Sequence, residues 1–460
     1  MSNDLSRRAF LKRLGELGIV GATGPLGANL ISAANAADLE EDDGYKAIVC
    51  YYLAGGCDQF NTLVPYDTDS YHSYASIRPS IALPHNELLP INITTGLPNG
   101  IQMGLHPNLE GFQTLFNENK VAVVQNVGSL VEPTTLQQYI DKSVLLPPEL
   151  FSHAGQSAYW QTLSSDKSAV GWGGRIGDLL AENNEEHIVF TNVSTATNSV
   201  DLVNGALANR YTIGSNGPIP LHLATKNHNR FNTPGAREKI LELITESRSH
   251  LLEDEISALT KRSIEAEASY TEAVEAVDSI LTEFSVADSS SKLKVISQMI
   301  SANAARGVRR QIFFVPIGGF DNHDNLLQDH GELMTTVNAD ISSFQAAMEE
   351  INLSEKVTML VASEFGRTFT SNGDGSDHGW GGHAYLIGDA VKGGFYGETP
   401  ETKLNTEIDV GNGRWLPTTP IEAVSVTLAR WFGVAESDLS EVCPNFENFY
   451  DTDYDLGLFS

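Results

Sequence analysis

Carboxylates and imidazoles recur in this chain directly after apolar runs that predict buried strands. The densest group is Glu364, Asp377, His378 and His383, which follows the apolar run 357–363. Carboxylate and imidazole together form the ligand set that divalent transition metals prefer. This segment therefore predicts a metal site at the end of a strand.

Two other predicted strands end in residues of the same types. Asp58 follows the apolar run 47–53, and Asp321 and His323 follow the run 312–317. In open α/β sheets, ligands bind where the carboxyl ends of the strands meet. We expect all these side chains to converge there and to hold one or two divalent ions, with Zn, Mn, Mg and Ca as the alternatives.

Three further residues could take part in ester chemistry. Arg367 could form a bidentate contact with a tetrahedral oxyanion. Thr134 and Thr135 follow a proline, a pattern typical of a loop that enters a helix N-terminus, where backbone amides stabilise negative charge. The attacking group would be one of these hydroxyls or a metal-activated water, and His378 or His383 could protonate the leaving oxygen.

Each of these residues also has a structural explanation. A threonine before a helix commonly caps it, and Glu364 with Arg367 could form an ion pair between strand and helix. His323 could belong to a capped turn, and the pair Ser152-His153 could contact a substrate or pack a turn. The recurrence of the same chemistry at several strand ends favours the functional explanation.

Apolar runs alternate with helical patterns along most of the chain. The predicted strands lie at 45–53, 121–127, 187–193, 219–224, 311–317, 357–363 and 384–387. Most are continuous apolar runs, which is typical of strands covered on both faces. The sequence therefore predicts an α/β fold: a three-layer sandwich with a mostly parallel central sheet.

Residues 235–297 interrupt this alternation. The segment up to about Lys292 contains almost no Gly or Pro, and its apolar residues recur at helical spacing. We expect a helical insertion within a discontinuous core domain of residues 45–234 and 298–450. Solvated helices, a cap over the active site and a dimerisation arm are all compatible with this pattern.

The N-terminus predicts export. Ser6-Arg-Arg-Ala-Phe-Leu-Lys12 has the form of a twin-arginine signal, followed by a Gly- and Ala-rich apolar stretch and a small-residue cleavage site near Ala36. Residues 1–36 would be a signal peptide read by the twin-arginine translocase, which exports folded proteins to the periplasm or beyond. The short, glycine-rich stretch argues against stable membrane insertion.

Composition narrows the choice of partners. A formal net charge of −30 repels nucleic acid and anionic lipid. A small anionic ester substrate would need a local positive centre, which a metal or Arg367 could provide. The three cysteines form an odd set, so no disulfide framework is implied.

Several motifs resemble a known family. They are the Arg7-Arg8 signal, Gly55-Gly-Cys-Asp-Gln-Phe-Asn61, Val131-Glu-Pro-Thr-Thr135, Leu150-Phe-Ser-His153, Gly319-Phe-Asp-Asn-His323, Ser363-Glu-Phe-Gly-Arg-Thr368 and Asp377-His-Gly-Trp-Gly-Gly382. Together they look like the exported bacterial proteins of domain-of-unknown-function family 1501. That family is similar to the alkaline phosphatase-like superfamily, which includes sulfatases, phosphatases and cofactor-independent phosphoglycerate mutases.

The resemblance implies roles for particular residues. Asp58 takes the place of the first-strand metal ligand, and Thr135 or Thr134 that of the nucleophile. The remaining metal ligands implied by the resemblance are Asp321, His323, Glu364, Asp377 and His378. The chain departs from the superfamily in having Ser363-Glu364 where an Asp-His pair is usual, and it lacks the Cys-x-Pro-x-Arg signature of formylglycine sulfatases.

The leading hypothesis is a periplasmic metal-dependent hydrolase of phosphate or sulfate esters. The alternative is a catalytically degenerate relative that acts as a periplasmic or cell-surface binding or assembly protein. The departure at Ser363-Glu364 favours the alternative, whereas the other acidic and histidine residues favour the enzyme.

Overall fold

Ten strands of one sheet form the centre of the described part of the chain. The computed structural model describes residues 44–165, 170–196, 201–219, 235–449 and 455–459. The strands are β1 (Lys46–Leu53), β2 (Leu63–Pro65), β3 (Leu89–Pro90), β4 (Met103–Leu105), β5 (Val121–Gly128), β6 (Asn192–Ser194), β7 (Tyr211–Gly214), β8 (Gly217–Pro218), β9 (Arg310–Ile317), β10 (Val357–Ala362), β11 (Arg367–Ser371), β12 (Ser376–His378), β13 (Gly382–Ile387), β14 (Gly394–Tyr396) and β15 (Thr419–Pro420).

The large sheet has the order β14-β5-β13-β10-β1-β9-β6-β7-β8, and β15 pairs with β5. The central pairs β1–β9 and β1–β10 are parallel, as are β6–β9, β6–β7, β5–β14 and β5–β15. Among the described strands of this large sheet, only β13 and β8 run antiparallel to their neighbours. Two small sheets, β2-β4-β3 and β11-β12, lie outside it.

Helices cover both faces of this sheet. They are α1 (Gln59–Thr62), α2 (Thr68–Ile77), α3 (Glu110–Asn117), α4 (Leu136–Asp141), α5 (His153–Thr162), α6 (Trp172–Leu180), α7 (Ala236–Thr245), α8 (Leu251–Glu275), α9 (Asp288–Ala305), α10 (Leu326–Glu350), α11 (Ile421–Phe432) and α12 (Leu439–Val442). One apolar core contains residues of α3, α9 and α10, and the other contains residues of α5, α6, α11 and α12.

Strand β1 is apolar from Ala47 to Leu53 because both of its faces are covered. Val49 and Tyr51 belong to one core, whereas Ile48 and Cys50 belong to the other. A strand covered by helices on both faces buries every side chain, so the alternation of polar and apolar residues disappears. The three-layer α/β fold with a mostly parallel sheet is confirmed.

The carboxyl ends of β1, β5, β9 and β10 meet at one edge of the sheet, because these strands point in the same direction. The antiparallel strand β13 begins at that edge instead of ending there. The loops after β1, β9 and β10 and the hairpin β11–β12 before β13 are therefore neighbours. The topology brings four distant segments of the chain together.

Some sequence expectations differ from the structure or lie outside its described residues. The predicted strand 187–193 is wrong in part, because a 3-10 helix at Ala181–Phe190 precedes the short strand β6. The signal peptide 1–36 and all of the predicted strand 219–224 except its first residue lie outside the described residues. Cys50, Cys57 and Cys443 are buried and free. Within the described ranges no helix is both long enough and apolar enough to cross a membrane.

The segment 235–297 contains α7, α8 and the beginning of α9. Helices α7 and α8 contact each other, and α8 also contacts α9, which packs on β9 and α10. The helical content expected for this segment is therefore present, while its description as a separate insertion stays a prediction.

A buried carboxyl on α11 makes the stability of this fold sensitive to pH. Burial raises the pKa of Glu422 from 4.5 to about 8, and its Oε2 has no hydrogen-bond partner among the described residues. A carboxyl whose pKa is raised on folding stabilises fully below pH 4.5 and loses that contribution as pH rises through about 8.

We expect Glu422→Gln to remove this pH dependence. Urea unfolding between pH 5 and pH 8.5 would measure it, and the variant should gain stability relative to the parent on the order of 2 kcal/mol at the alkaline end. The exposed Glu332→Gln serves as the control and should keep the parental slope. Equal slopes in the parent and Glu422→Gln would contradict the prediction.

Candidate metal and ester site

One carboxylate oxygen forms the centre of the site at the carboxyl edge of the sheet. Asp321 Oδ1 lies 3.0 Å from His323 Nε2, 3.2 Å from His378 Nε2 and 3.3 Å from His153 Nε2. Arg367 Nη1 lies 2.8 Å from the same oxygen. Ligand atoms of His153, Asp321 and His378 all lie within 4.8 Å of one another. Three imidazoles thus converge on one acidic oxygen.

His378 presents a lone pair to this centre. Its Nδ1 lies 2.8 Å from the carbonyl oxygen of Phe151, and since a carbonyl only accepts, the ring hydrogen sits on Nδ1. Burial lowers the pKa of His378, and the charge of His153 acts in the same direction, so the neutral ring is favoured. Its Nε2 therefore faces Asp321 Oδ1 without a proton and lies 2.9 Å from His323 Nε2. Either a proton on that His323 atom or a cation would offset the repulsion between the two lone pairs.

His153 shows the same orientation. It is the first residue of α5, whose N-terminus is capped by Ser152. Its Nδ1 donates to Glu364 Oε1 at 3.0 Å, and this hydrogen bond raises the pKa of His153. Its Nε2 is buried and has no hydrogen-bond partner among the described residues, although Asp321 Oδ1 lies nearby. The raised pKa favours the protonated ring, so an ion that binds Nε2 would displace the proton that faces Asp321.

Glu364 holds the ring of His153 from behind. The carboxylate is almost fully buried, and its Oε1 also accepts from the backbone N–H of Gly55 at 2.9 Å. Its Oε2 lies 3.1 Å from Ser363 Oγ, which donates its hydrogen to Leu53 O at 2.6 Å. Because Oε1 already accepts from His153 and Gly55, the contacts of Glu364 are those of a residue that orients His153.

Asp377 occupies the corresponding place behind His323. Its Oδ1 lies 3.4 Å from His323 Nδ1 and accepts a hydrogen bond from Asn372 at 2.9 Å. The hydrogen bond from Asn372 is the largest cause that lowers the pKa of Asp377, and His323 acts in the same direction. The charged carboxylate therefore attracts the Nδ1 side of the ring and directs Nε2 toward the centre.

The three rings share one arrangement: an acceptor behind each Nδ1 and an Nε2 atom that faces Asp321. Proteins orient imidazole ligands of metals in this way, since the acceptor fixes both the tautomer and the ring plane. The observation that tests the fit is the buried Nε2 of His153, whose nearest acidic atom is Asp321 Oδ1 at 3.3 Å, and this donor set fits a cation. Three nitrogens and one oxygen suit a transition ion such as Zn better than Mg or Ca, which prefer oxygen ligands.

Arg367 fixes the central carboxylate. Besides Asp321, its guanidinium donates to Gly55 O at 3.2 Å, Ser376 O at 2.6 Å and Ser376 Oγ at 3.3 Å. Burial alone would raise the pKa of Asp321, but the hydrogen bond and charge of Arg367 outweigh it and hold the pKa at about 2. The side-chain amide of Gln59 accepts a hydrogen bond from the backbone N–H of Arg367 and donates one to the backbone carbonyl of Arg367. Arg367 is therefore a positioning residue with its donors directed at protein atoms.

The end of β1 must approach the Asp321 loop closely. Gly55 has φ of +124°, and a Cβ built there would lie 2.5 Å from the backbone nitrogen of Asp321. Only glycine fits this contact without a shift of the backbone. In this position the carbonyl of Gly55 accepts a hydrogen bond from Arg367, and the backbone N–H of Gly55 donates one to Glu364.

Asp58 does not join the cluster. It caps α1 by accepting from the backbone N–H of Phe60, and its other oxygen forms a buried ion pair with Arg78. Arg78 also donates to the carbonyl of Thr368. The charge of Asp58 is thus neutralised by a residue twenty positions later, and the first-strand ligand role implied by the resemblance has no support in these contacts.

Thr134 and Thr135 serve the start of α4. Thr135 caps the helix in a capping box with Gln138, in which each side chain bonds the other residue's backbone N–H. The hydroxyl of Thr134 donates to Glu132 O at 2.9 Å. Both residues line an open groove with Leu136 and other residues that do not belong to the histidine cluster.

His383 also lies apart from the cluster. Its Nδ1 accepts from the backbone N–H of Asn126 at 3.3 Å, and its ring contacts Trp415. Burial lowers the pKa of His383 to about 4, so the ring is neutral near pH 7. These contacts give it a packing role at the start of β13.

Two residues of the site were not among the predicted ones. The sequence left two roles open for His153, a substrate contact or the packing of a turn. The motif Leu150-Phe-Ser-His153 was the signal that could have identified it as a site residue. Arg414 donates to the carbonyl of His378 at 2.8 Å, lies over the ring of Phe151 and is half-buried. No sequence pattern distinguished Arg414, because it follows a loop without an apolar run.

The fold and the cluster together define an α/β protein with a candidate metal site at the carboxyl edge of its sheet. The chain belongs to the family described as protein of unknown function (DUF1501), which it matches over residues 45–419. No curated protein matches it.

Solved structures resemble the chain only distantly. The lipoteichoic acid synthase LtaP from Listeria monocytogenes is 7% identical, with a TM-score of 0.34, and the match covers 90% of this chain and 79% of that chain. Ps i-CgsB in complex with k-i-k-neocarrahexaose is 11% identical, with a TM-score of 0.32 and coverages of 88% and 77%. Ps i-CgsB alone is 9% identical, with a TM-score of 0.33 and the same coverages.

We expect His153→Ala, Asp321→Ala and His378→Ala each to weaken Zn binding by at least about tenfold, because each removes an atom that faces the centre. Titration of the metal-free protein with Zn in competition with a chromophoric chelator would measure the affinity. His72→Ala is the matched control, since His72 is exposed on α2 and far from the cluster in sequence. Unchanged affinity in all four variants, or equal loss in all four, would contradict the assignment.

Proposed function

We propose that this protein is a periplasmic metal-dependent hydrolase of phosphate or sulfate esters. The observation that carries the proposal is the neutral His378 ring, whose Nε2 lone pair faces the charged carboxylate of Asp321 at 3.2 Å. That pair is repulsive by itself, and a cation shared with His323 Nε2, which lies 2.9 Å from His378 Nε2, would make it favourable. His153 and His323 complete the proposed ligand set.

A divalent ion bound there would supply Lewis acidity toward an ester oxygen. The chain supplies the remaining requirements. Arg367 keeps Asp321 charged and in place, and Glu364 and Asp377 keep the rings turned toward the centre. Such preorganisation lets a site stabilise developing charge without rearrangement during the reaction.

The phosphate or sulfate class rests on the motif resemblance to the alkaline phosphatase-like superfamily and on local charge. The whole chain carries a formal net charge of −30, which opposes the approach of an anion. Arg414 would offset part of this repulsion, because it donates to the carbonyl of His378, and Arg367 is already committed to Asp321. We assign Arg414 a substrate contact through the part of its guanidinium that faces away from that carbonyl.

The contacts of Thr135 favour water as the attacking group. Its hydroxyl is committed to the capping box at the start of α4, and among the described contacts none joins it to the histidine cluster. A hydroxyl nucleophile would need to lie against the central carboxylate and imidazoles. Water admitted to the exposed side of Asp321 meets that requirement, since the Asp321 side chain is 47% exposed.

The proposed periplasmic location rests on the predicted signal peptide. The predicted signal peptide would direct the chain through the twin-arginine translocase, which carries folded proteins. A site assembled from four separate segments exists only in the folded chain, so this route would allow the ion to enter before export.

The alternative function is a binding or assembly protein that keeps one metal and no turnover. Glu364 favours it, because its Oε1 already contacts His153 and accepts from the backbone of Gly55, which is the role of a support for the ring. Turnover of aryl phosphates and aryl sulfates by protein with a measured metal content separates the two functions. Full metal occupancy without turnover of either substrate would favour the binding protein.

We expect Thr135→Ala to retain at least about half of the parental turnover of the better aryl ester, because its hydroxyl caps a helix. A role as covalent nucleophile would instead abolish turnover. Thr134→Ala provides the paired measurement, and far-UV circular dichroism establishes that both variants are folded. Loss of turnover in Thr135→Ala alone would overturn the assignment of water.

Arg414→Gln should raise KM for the better aryl ester by about tenfold while metal content stays at the parental level, since one charged contact to the anion is lost. Arg367→Gln should instead lower metal content, because Asp321 loses its partner. Lys403→Gln removes the same charge from an exposed site and should change neither quantity. Equal effects of Arg414→Gln and Lys403→Gln would refute a substrate contact.

A further inference from the structure

Phe151 has a backbone conformation that suits glycine. Its φ is +65°, in the left-handed region that bulky residues rarely adopt. The residue lies directly before Ser152 and His153, at the start of α5. Glycine would adopt this conformation without strain, yet the chain has a phenylalanine here. A strained residue persists only where its surroundings hold it in place, so the contacts of Phe151 indicate its role.

The carbonyl of Phe151 explains only part of this arrangement. It accepts the hydrogen bond from His378 Nδ1 at 2.8 Å and so fixes the plane of that ring. Every residue type has the same carbonyl, and glycine would supply it with less strain. The carbonyl alone therefore does not account for a phenyl ring at this position.

The ring of Phe151 contacts both the core and a charged group. It meets the fully buried Trp380 edge to face, with ring centroids 6.3 Å apart and planes at 90°. The guanidinium carbon of Arg414 lies over the Phe151 ring, 5.2 Å from its centroid. This distance is within the range of a cation–π contact. The ring is thus a flat support that joins Arg414 to the core.

Few other contacts fix the guanidinium of Arg414. Its Nε donates to the carbonyl of His378 at 2.8 Å, and its Nη1 has a long contact of 3.4 Å with Gly411 O. Among the hydrogen bonds of the described residues, none involves Arg414 Nη2. A long side chain loses rotamer freedom when it is held in one place. A guanidinium that a ring already holds therefore binds an anion with a smaller loss of entropy.

We propose that Phe151 is a positioning residue for the substrate anion. Its ring holds the guanidinium of Arg414 in the plane that leaves Nη2 for an oxygen of a tetrahedral phosphate or sulfate group. Phe151 itself does not contact the anion and acts through Arg414 alone. This role rests on the substrate contact proposed for Arg414.

Binding of inorganic phosphate to the Zn-loaded protein tests this role without turnover. We expect Phe151→Leu to weaken phosphate binding by about three- to fivefold, because it removes the cation–π contact. Its Zn content should stay at the parental level, since the leucine keeps the carbonyl that holds His378. Phe151→Tyr keeps an aromatic face and should recover most of the lost affinity. Isothermal titration calorimetry measures the affinity, and metal analysis measures the Zn content.

A matched control and a double-mutant cycle separate this role from general packing. Phe284→Leu makes the same substitution at a half-buried residue packed on the other core, and it should change neither quantity. In the Arg414→Gln background, Phe151→Leu should weaken phosphate binding no further, because the two residues act as a unit. Circular dichroism and thermal melting establish that the variants are folded, and Phe151→Met replaces the leucine variant if that one does not fold.

The contrary results differ from one another. Parental phosphate affinity in Phe151→Leu, or an equal loss in the Arg414→Gln background, would overturn the positioning role. Loss of Zn from Phe151→Leu would overturn it by showing that the ring supports His378 instead, and so would a fully loaded parent that binds no phosphate. Phosphate binding that depends on Phe151 in a protein without turnover would refute hydrolysis and support the positioning role.

Discussion

Repulsion between lone pairs is the constraint on which the site depends. Three imidazole nitrogens and the Arg367 guanidinium surround one oxygen of Asp321, and the ring backed by Phe151 carries its hydrogen on the far side. A protein interior tolerates this concentration of acceptors only when something positive compensates it. Arg367 compensates one side of the carboxylate, and the proposed ion would compensate the other.

The sheet satisfies this constraint through its topology. Parallel strands β1, β9 and β10 deliver their following loops to one edge, and the reversed strand β13 adds the hairpin before it to the same place. No single loop carries the site, and the acceptors behind the rings come from different segments than the rings themselves. Packing of the two apolar cores is thus what sets the distances between the imidazoles.

Much of this was readable from the sequence, and the failures have physical causes. The apolar runs located β1, β5, β9, β10 and β13, because strands buried on both faces consist mainly of apolar residues. The gathering of residues from the ends of β9 and β10 and from the hairpin follows from parallel topology. The short strand β6 was extended too far, since residues 187–190 have apolar character but form a 3-10 turn.

The sequence could not show which acids were already neutralised. Asp58 follows a strand just as Asp321 does, but it forms an ion pair with Arg78, the residue directly after α2. That contact depends on tertiary packing. His153 was not selected because it starts a helix and does not end a strand. Glu364 and Asp377 were grouped with the ligands, whereas their contacts place them behind the rings, a distinction of a few ångströms that spacing along the chain does not encode.

Arg367 has a consequence for how specificity toward metals could arise. Its guanidinium joins Gly55, Asp321 and Ser376, residues brought together only once the sheet is complete. An unfolded chain offers scattered histidines that would follow the ordinary affinity series and favour copper. The finished site offers a preset geometry instead. The compartment in which the polypeptide folds, through the metal ions that are free there, would therefore determine which metal the site binds.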